Sequence, residues 1–178
     1  MDKSSSNHSG YLDFYDLAYA EAINGVSSQM LGFKKILSVD RDINASRDPA
    51  KSSGCIYIGS GEGIERASKA GAKAVAPEDY RLEPKAAAHM LDKGTILCIS
   101  TYPIMSTSGI KRSKRIHFAG NMLDLCDKKG IDVAFVTIAR SSLYLCSAMQ
   151  LIALAELIGA DESQARDSIG RVNMRLLE

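Results

Sequence analysis

The stretch "CIYIGSGEGIERASKAGAKAVAP", Cys55–Pro77, decides the fold. "CIYIG" is a short apolar strand, "EGIERASKAGA" a helix and "KAVAP" a second short strand. The strands are continuous apolar runs rather than alternating ones. Such runs are buried on both faces, which is the mark of a parallel sheet covered by helices.

Working outward, the alternation recurs. Further strands are expected at "YLDFYDL" (Tyr11–Leu17), "KKILSV" (Lys34–Val39), "TILCIS" (Thr95–Ser100) and "VAFVTIA" (Val133–Ala139). A weak helix is expected over "AYAEAINGVSSQMLGF", ending near Gly32. "EPKAAAHMLDKG" is a helix with Pro84 in its first turn and Gly94 at its end. Arg112 to Lys129 is an amphipathic helix with Ile116, Ala119, Leu123 and Cys126 on one stripe. "AMQLIALAELIG" is a helix apolar on most sides, and Asp161 with Gln164 stands at capping-box spacing. Asp40–Gly54 has turn chemistry throughout, and a loop that long is either functional or disordered. Two architectures fit: a doubly wound open sheet or a (β/α) barrel. A full barrel has about 250 residues and rarely fewer than about 200. The expected fold is α/β, a compact TIM-barrel-like arrangement with missing or shortened helices.

At 178 residues the chain is expected to form one domain over residues 11–178, after a flexible Ser-rich tail over 1–10. The tail has no apolar core of the secretory kind. The hydrophobic fraction of 46% and charged fraction of 24% are ordinary for a soluble protein. The uncharged run Ser141–Ala155 is short of the roughly 20 apolar residues a membrane span needs. A cytoplasmic protein with no membrane partner is expected. Cys55, Cys98, Cys126 and Cys146 are widely spaced, and three of them lie in apolar runs, as small buried hydrophobes do in a reducing compartment.

The net charge of +1 argues against a protein that coats nucleic acid over its whole surface, and leaves room for one basic face. That face is found in "GIKRSKRIHF" (Gly109–Phe118), where Lys111, Arg112, Lys114 and Arg115 fall within five positions. No Asp or Glu occurs between Asp92 and Asp124. The run lies at the start of the predicted Arg112–Lys129 helix. Cations there oppose the helix dipole by a few tenths of a kcal/mol each, up to about 1. The arrangement is poor for helix stability and good for holding a phosphate. His117 is close enough to contribute. Lys34 and Lys35 start a strand, and Arg140 ends one.

Other constellations are weaker. "IGSGEG" (Ile58–Gly63) is G-x-G-x-G rather than a dinucleotide fingerprint, and a tight strand-to-helix turn is its better reading. Asp16, Asp40, Glu78 and Asp79 sit at strand ends, where they would serve as metal ligands, acid/base groups or helix caps. "YLDFYDLA" places Asp13 and Asp16 where barrel metallohydrolases carry D-x-H-x-H, and neither histidine is present.

In its C-terminal block the chain resembles archaeal ribonuclease P protein component 3, related to the thirty-kilodalton subunit of the eukaryotic enzyme. The resemblance rests on order and spacing. "KRSKRIHFAGNMLDLCDKKG" enters a helix, "VAFVTIARS" follows as a strand, and "AMQLIALAELIGADESQARDSIGRVNMRLLE" gives an apolar helix, a glycine break and a short Ala-bearing helix. "YLDFYDL" and "LGFKKILSVD" fit the family's first two strands. Arg112 matches the family's Arg ahead of the long helix, and Ala139 its Ala after the strand. Where the family has R-x-P-x-D-L, this chain has Cys146-Ser147-Ala148-Met149-Gln150-Leu151, and Ile138 replaces a small Ser or Gly.

The resemblance implies a (β/α) barrel distantly related to the polymerase-and-histidinol-phosphatase metal hydrolases, without their metal ligands. It implies a subunit of the ribonucleoprotein that removes the 5′ leader of precursor tRNA. The RNA subunit would carry the chemistry using Mg²⁺, and this chain itself would bind no cofactor and hold no catalytic residue. Its partners would be ribonuclease P RNA, a small ferredoxin-like protein subunit and the other protein subunits. The expected RNA contacts are Lys111, Arg112, Lys114, Arg115, His117, Arg140, Lys34 and Lys35. The alternative is a stand-alone barrel hydrolase or lyase acting on a phosphorylated small molecule, with the same basic run as a phosphate clamp. A third reading, a protein-interaction module, expects a large exposed apolar patch.

Overall fold

The computed structural model describes residues 13–176. The expected N-terminal tail and the first residues of the strand expected at Tyr11 lie outside them. The elements, in chain order, are β1 (Tyr15–Ala18), α1 (Ala20–Ile23), β2 (Lys35–Ser38), β3 (Ala45–Ser46), β4 (Ile56–Gly59), α2 (Ile64–Lys69), β5 (Ala74–Pro77), α3 (Pro84–Lys93), β6 (Ile96–Ser100), α4 (Tyr102–Met105), α5 (Gly109–Lys129), β7 (Val133–Val136), α6 (Ala148–Ile158), α7 (Glu162–Asp167) and α8 (Asn173–Arg175). A single π-turn over Ser168–Val172 joins α7 to α8.

Every strand pairing is parallel. β3-β4-β5-β6-β7 form one sheet and β1-β2 another. A bridge between Ala18 and Ala139 joins the two, so the strands run in the order β2-β1-β7-β6-β5-β4-β3. Among the described residues no ladder connects β2 to β3, and the array is not closed. Its inner face is nonetheless one core. Leu17, Leu37, Ile56, Ile58, Ala74, Ala76, Ile96, Cys98, Ala134 and Val136 are alternate residues of six strands gathered in one buried cluster. The intervening residues, such as Ile36, Tyr57, Val75, Leu97 and Phe135, pack with the helices in a second cluster. The period of 2 thus separates two buried faces, which is why the strands read as unbroken apolar runs.

Three sequence expectations change. The helix expected over residues 18–33 is reduced to α1 and a 3-10 turn at Gln29–Leu31, because Gly25 and Gly32 take left-handed φ values of 75° and 78° that end each piece. Asp40–Gly54, expected as a loop without periodic structure, holds the edge strand β3 and a turn at Pro49–Lys51, where Asp48 accepts the Ala50 N–H at 2.9 Å. The long helix begins at Gly109 rather than Arg112, so the whole basic run lies within its first two turns. Cys98, Cys126 and Cys146 are buried as expected, and burial pushes their thiols up to about 12, 12 and 11.

The seam between β1 and β7 is held half by backbone and half by side chains. Ile138 N–H donates to the Leu17 carbonyl at 2.6 Å and Tyr19 N–H to the Ala139 carbonyl at 2.9 Å. Below them, Asp16 Oδ1 accepts from Leu17 N–H at 2.8 Å and Thr137 N–H at 2.7 Å. Lower still, the Asn173 amide donates to both Tyr15 and Phe135 carbonyls, at 2.7 and 3.0 Å. Asp16 is therefore a structural stitch rather than a strand-end ligand.

Burial outweighs the Thr137 and Leu17 hydrogen bonds and pushes the Asp16 carboxyl up to about 6. Thr137 Oγ1 lies 2.6 Å from Asp16 Oδ2 and 2.9 Å from the Leu17 carbonyl oxygen. One hydroxyl proton serves only one of these acceptors. A protonated Asp16 donates to Oγ1, which then donates to Leu17, and both oxygens are satisfied. The folded state binds this proton more tightly than the unfolded chain, whose carboxyl titrates near 3.8. The stabilisation is fully present below about 4 and is lost as pH rises through about 6. Asp16→Asn mimics the protonated stitch, so the variant loses this component. Urea unfolding at pH 7 and pH 5 should show a stability difference for the native chain, up to about 1.4 kcal/mol per pH unit, that shrinks in Asp16→Asn. An unchanged difference would contradict the assignment.

Candidate nucleic-acid interface

In parallel α/β folds the residues just beyond the strand C-termini build the usual site. Here Tyr19 follows β1, Glu78 and Asp79 follow β5, Tyr102 opens α4 just beyond β6, and Arg140 lies past β7. α5 brings its first turns to the same end. A cleft of about 590 Å³ results, lined by Gly59, Ser60, Glu78, Asp79, Lys111, Lys114, Arg115 and Phe118.

The basic run divides by role. Lys111 and Lys114 are exposed on the cleft wall, and among the described residues no carboxylate lies within 4 Å of either. Arg112 turns back onto α4: its Nε donates to the Thr107 carbonyl at 2.6 Å and Nη2 to the Met105 carbonyl at 3.3 Å. Arg115 lines the cleft while donating to the Pro103 carbonyl. No acid occupies the first turn of α5, and Ser108 offers it no side-chain cap. His117 does not line the cleft; it is exposed, with Nε2 3.3 Å from Asn121 Nδ2.

The remaining expected RNA-binding residues separate. Arg140 sits at the strand-end face, as expected from its place after β7. Its Nη2 donates to Glu78 Oε1 at 2.7 Å, and its guanidinium carbon lies 5.6 Å from the Tyr19 ring and 5.9 Å from the Tyr102 ring. Lys34 and Lys35 lie at the start of β2, the opposite end of the strands. Lys34 is paired with Asp13 at 2.6 Å and Lys35 with Asp42 at 3.9 Å. A cation at a strand start is carried to the far face of a parallel array, so these two do not join the cleft.

The sequence reading missed Arg47, Tyr19 and Tyr102. Arg47 forks onto Glu78, with Nη1 to Oε2 and Nη2 to Oε1 both 3.3 Å. The signal available was position: a tyrosine at the end of a strand, and an arginine in the one long loop. Asp79 accepts Gly61 N–H at 2.9 Å, so the "IGSGEG" turn spends that donor internally. A Cβ at Gly61 would collide with the Arg81 backbone, which fits the tight-turn reading. The expected strand-end acids do not converge: among the described residues no three His, Cys, Asp or Glu side chains gather where they could hold a metal ion.

A second concavity, about 450 Å³, lies between α5 and α6 and is mostly apolar, with Ile104, Met105, Ile116, Leu154 and Leu157 on its walls. Among the described residues no helix is long and apolar enough to cross a membrane.

Comparison with known proteins bears on the fold alone. No family model matches the sequence, and no curated protein does. The chain is similar to a crystal structure described as that of an uncharacterized protein, at TM-score 0.54 and 14% identity, over 68% of this chain and 33% of that one. It is also similar to A. niger ochratoxinase, at TM-score 0.48 and 17% identity, over 64% of this chain and 28% of that one. The chain thus spans about a third of the length of the solved structures it matches.

The division of the basic run is testable by stability. Arg112→Ala removes two hydrogen bonds from a charged donor and should destabilise by about 1 kcal/mol. The double change Lys111→Ala and Lys114→Ala removes cations that oppose the helix dipole, and should stabilise by about 0.5 kcal/mol. Urea unfolding measures both, and equal losses would contradict the division.

Proposed function

We propose that this chain is a protein subunit of ribonuclease P, folded as a compact, incompletely closed (β/α) barrel, that supports the catalytic domain of the RNA subunit. One observation carries the reading: among the described residues Lys111 and Lys114 stand without carboxylate partners on the wall of the strand-end cleft, on a helix whose N-terminus is acid-free and uncapped by a side chain. That geometry leaves a positive field free for phosphates, and phosphate contacts of this kind fix position without reading sequence. The order of C-terminal elements supports the same assignment. A strand Val133–Val136, the helix Ala148–Ile158 and a short helix after the Gly159 break succeed one another as in the archaeal component. In this reading Mg²⁺ belongs to the RNA subunit, the small ferredoxin-like protein is the direct partner, precursor tRNA is the substrate of the assembly, and the setting is cytoplasmic.

A second reading has one observation in its favour. Glu78 and Asp79 line the same cleft as three cations, which is how a site for a phosphorylated small molecule would place acid/base groups beside a phosphate clamp.

The deciding experiment is precursor-tRNA cleavage by archaeal ribonuclease P reconstituted with and without this chain at limiting Mg²⁺. Cleavage restored only when the chain and its partner subunit are added is the expected result. The Lys111→Ala, Lys114→Ala double variant should need lower salt for the same restoration. Each phosphate that no longer meets a lysine reduces the salt slope by roughly 0.7 to 0.9. No restoration at any salt would overturn the reading in favour of the small-molecule site.

A further inference from the structure

Glu78 follows β5 on the strand-end face and lines the cleft. Its N–H donates to the Gly59 carbonyl at 2.7 Å, which extends the β4–β5 ladder and fixes its backbone. Its one carboxylate accepts from two guanidiniums, Arg140 at 2.7 Å and Arg47 at 3.3 Å. Arg140 is held against two tyrosine rings, and Tyr102 is itself braced edge-on by Tyr144 at 5.3 Å between centroids. The arginine is thus positioned by aromatic contacts as well as by its counterion.

The charges around Glu78 do not balance. Arg47 and Arg140 both pair with Glu78, and Lys111, Lys114 and Arg115 line the cleft with Glu78 and Asp79. The pairing is also weak. The side chains of Arg47, Arg140 and Glu78 are 57%, 45% and 39% exposed, and exposed ion pairs of this kind contribute little. A phosphate carries more acceptor oxygens than a carboxylate and suits a guanidinium fork at least as well.

We propose that Glu78 is an exchangeable internal anion: it occupies a two-arginine clamp, Arg47 with Arg140, that takes a phosphate ester, and it leaves the clamp when a phosphate of an RNA strand enters the cleft. The RNA identity of that strand rests on the ribonuclease P reading. The clamp chemistry is shared by any phosphate ester, including a phosphorylated small molecule. Lys111 and Lys114 on the facing wall then hold a neighbouring phosphate of the same strand, and the exposed edge of Phe118 offers a surface for a base.

The test uses the full chain and a fluorescent oligouridylate of about 12 nucleotides. Glu78→Gln is close to isosteric and removes the competing charge. It should tighten binding by about tenfold at low salt. Asp92→Asn, an exposed acid at the end of α3, corrects for net charge and should change affinity by less than about twofold. Adding Arg140→Gln or Arg47→Gln to Glu78→Gln should abolish the tightening, with thermal melts confirming that each variant folds. A Glu78→Gln chain that binds no tighter than the native one, or a tightening that survives removal of either arginine, would overturn the proposal.

Inorganic phosphate and ribose 5-phosphate, added as competitors, separate the two sources. Weak competition at millimolar levels supports an RNA strand, whereas tighter binding of ribose 5-phosphate than of the oligonucleotide overturns it as the occupant. The clamp and the ribonuclease P reading fail separately. Tighter binding by Glu78→Gln without restored precursor-tRNA cleavage removes only the reading; restored cleavage without the tighter binding removes only the clamp.

Discussion

The β1–β7 seam is the constraint on which the rest of the structure depends. A parallel array of short strands has two ends, and here the N-terminal strand must be brought beside the last. Backbone pairing achieves this over only a few residues at Leu17–Tyr19 and Ile138–Ala139. The remainder of the seam would leave buried N–H and C=O groups without partners, each a substantial cost. Asp16 and Asn173 supply those partners from side chains. Asn173 arrives from the C-terminal helix, which also places Val172 and Leu176 in the inner cluster. The first strand and the last helix are therefore fixed by the same few hydrogen bonds.

That seam positions the strand-end face. Ile138, directly above the stitch, has φ of 45°, a conformation that costs a β-branched residue on the order of 1–3 kcal/mol. Its side chain is buried in the inner cluster, and that burial offsets the strain. The turn it makes directs Arg140 out over Tyr19 and Tyr102. Tyr80, with φ of 55°, makes the matching turn after β5, and its hydroxyl donates to the Ser100 carbonyl. The two left-handed residues thus shape the loops carrying Arg140 and Glu78, an ion pair on the strand-end face beside the cleft.

Much of this was legible in the sequence, for physical reasons that differ by residue. The six expected strands are all present because each is apolar on both faces, a pattern that solvent-exposed segments do not reproduce. β3 was not legible because two residues carry no periodicity. The basic run showed itself by the absence of nearby acids, but its division did not: Arg112 and Lys111 are neighbours, and only the return of α4 beneath α5 makes one a cap and leaves the other on the cleft wall. Asp16 looked like a strand-end carboxylate, and no local pattern distinguishes that from a stitch to Thr137, 121 residues away. The left-handed turn at Ile138 was not legible, because a β-branched residue gives no sign of a positive φ.

The proposed RNA contact lies at the strand-end face and not at the opposite end of the strands. Lysine acylation footprinting, with and without ribonuclease P RNA, tests it in one measurement. Lys111 and Lys114 should be protected when RNA is bound, while Lys35, at the start of β2, should react equally in both states. Protection at Lys35 with Lys111 and Lys114 unchanged would contradict the account.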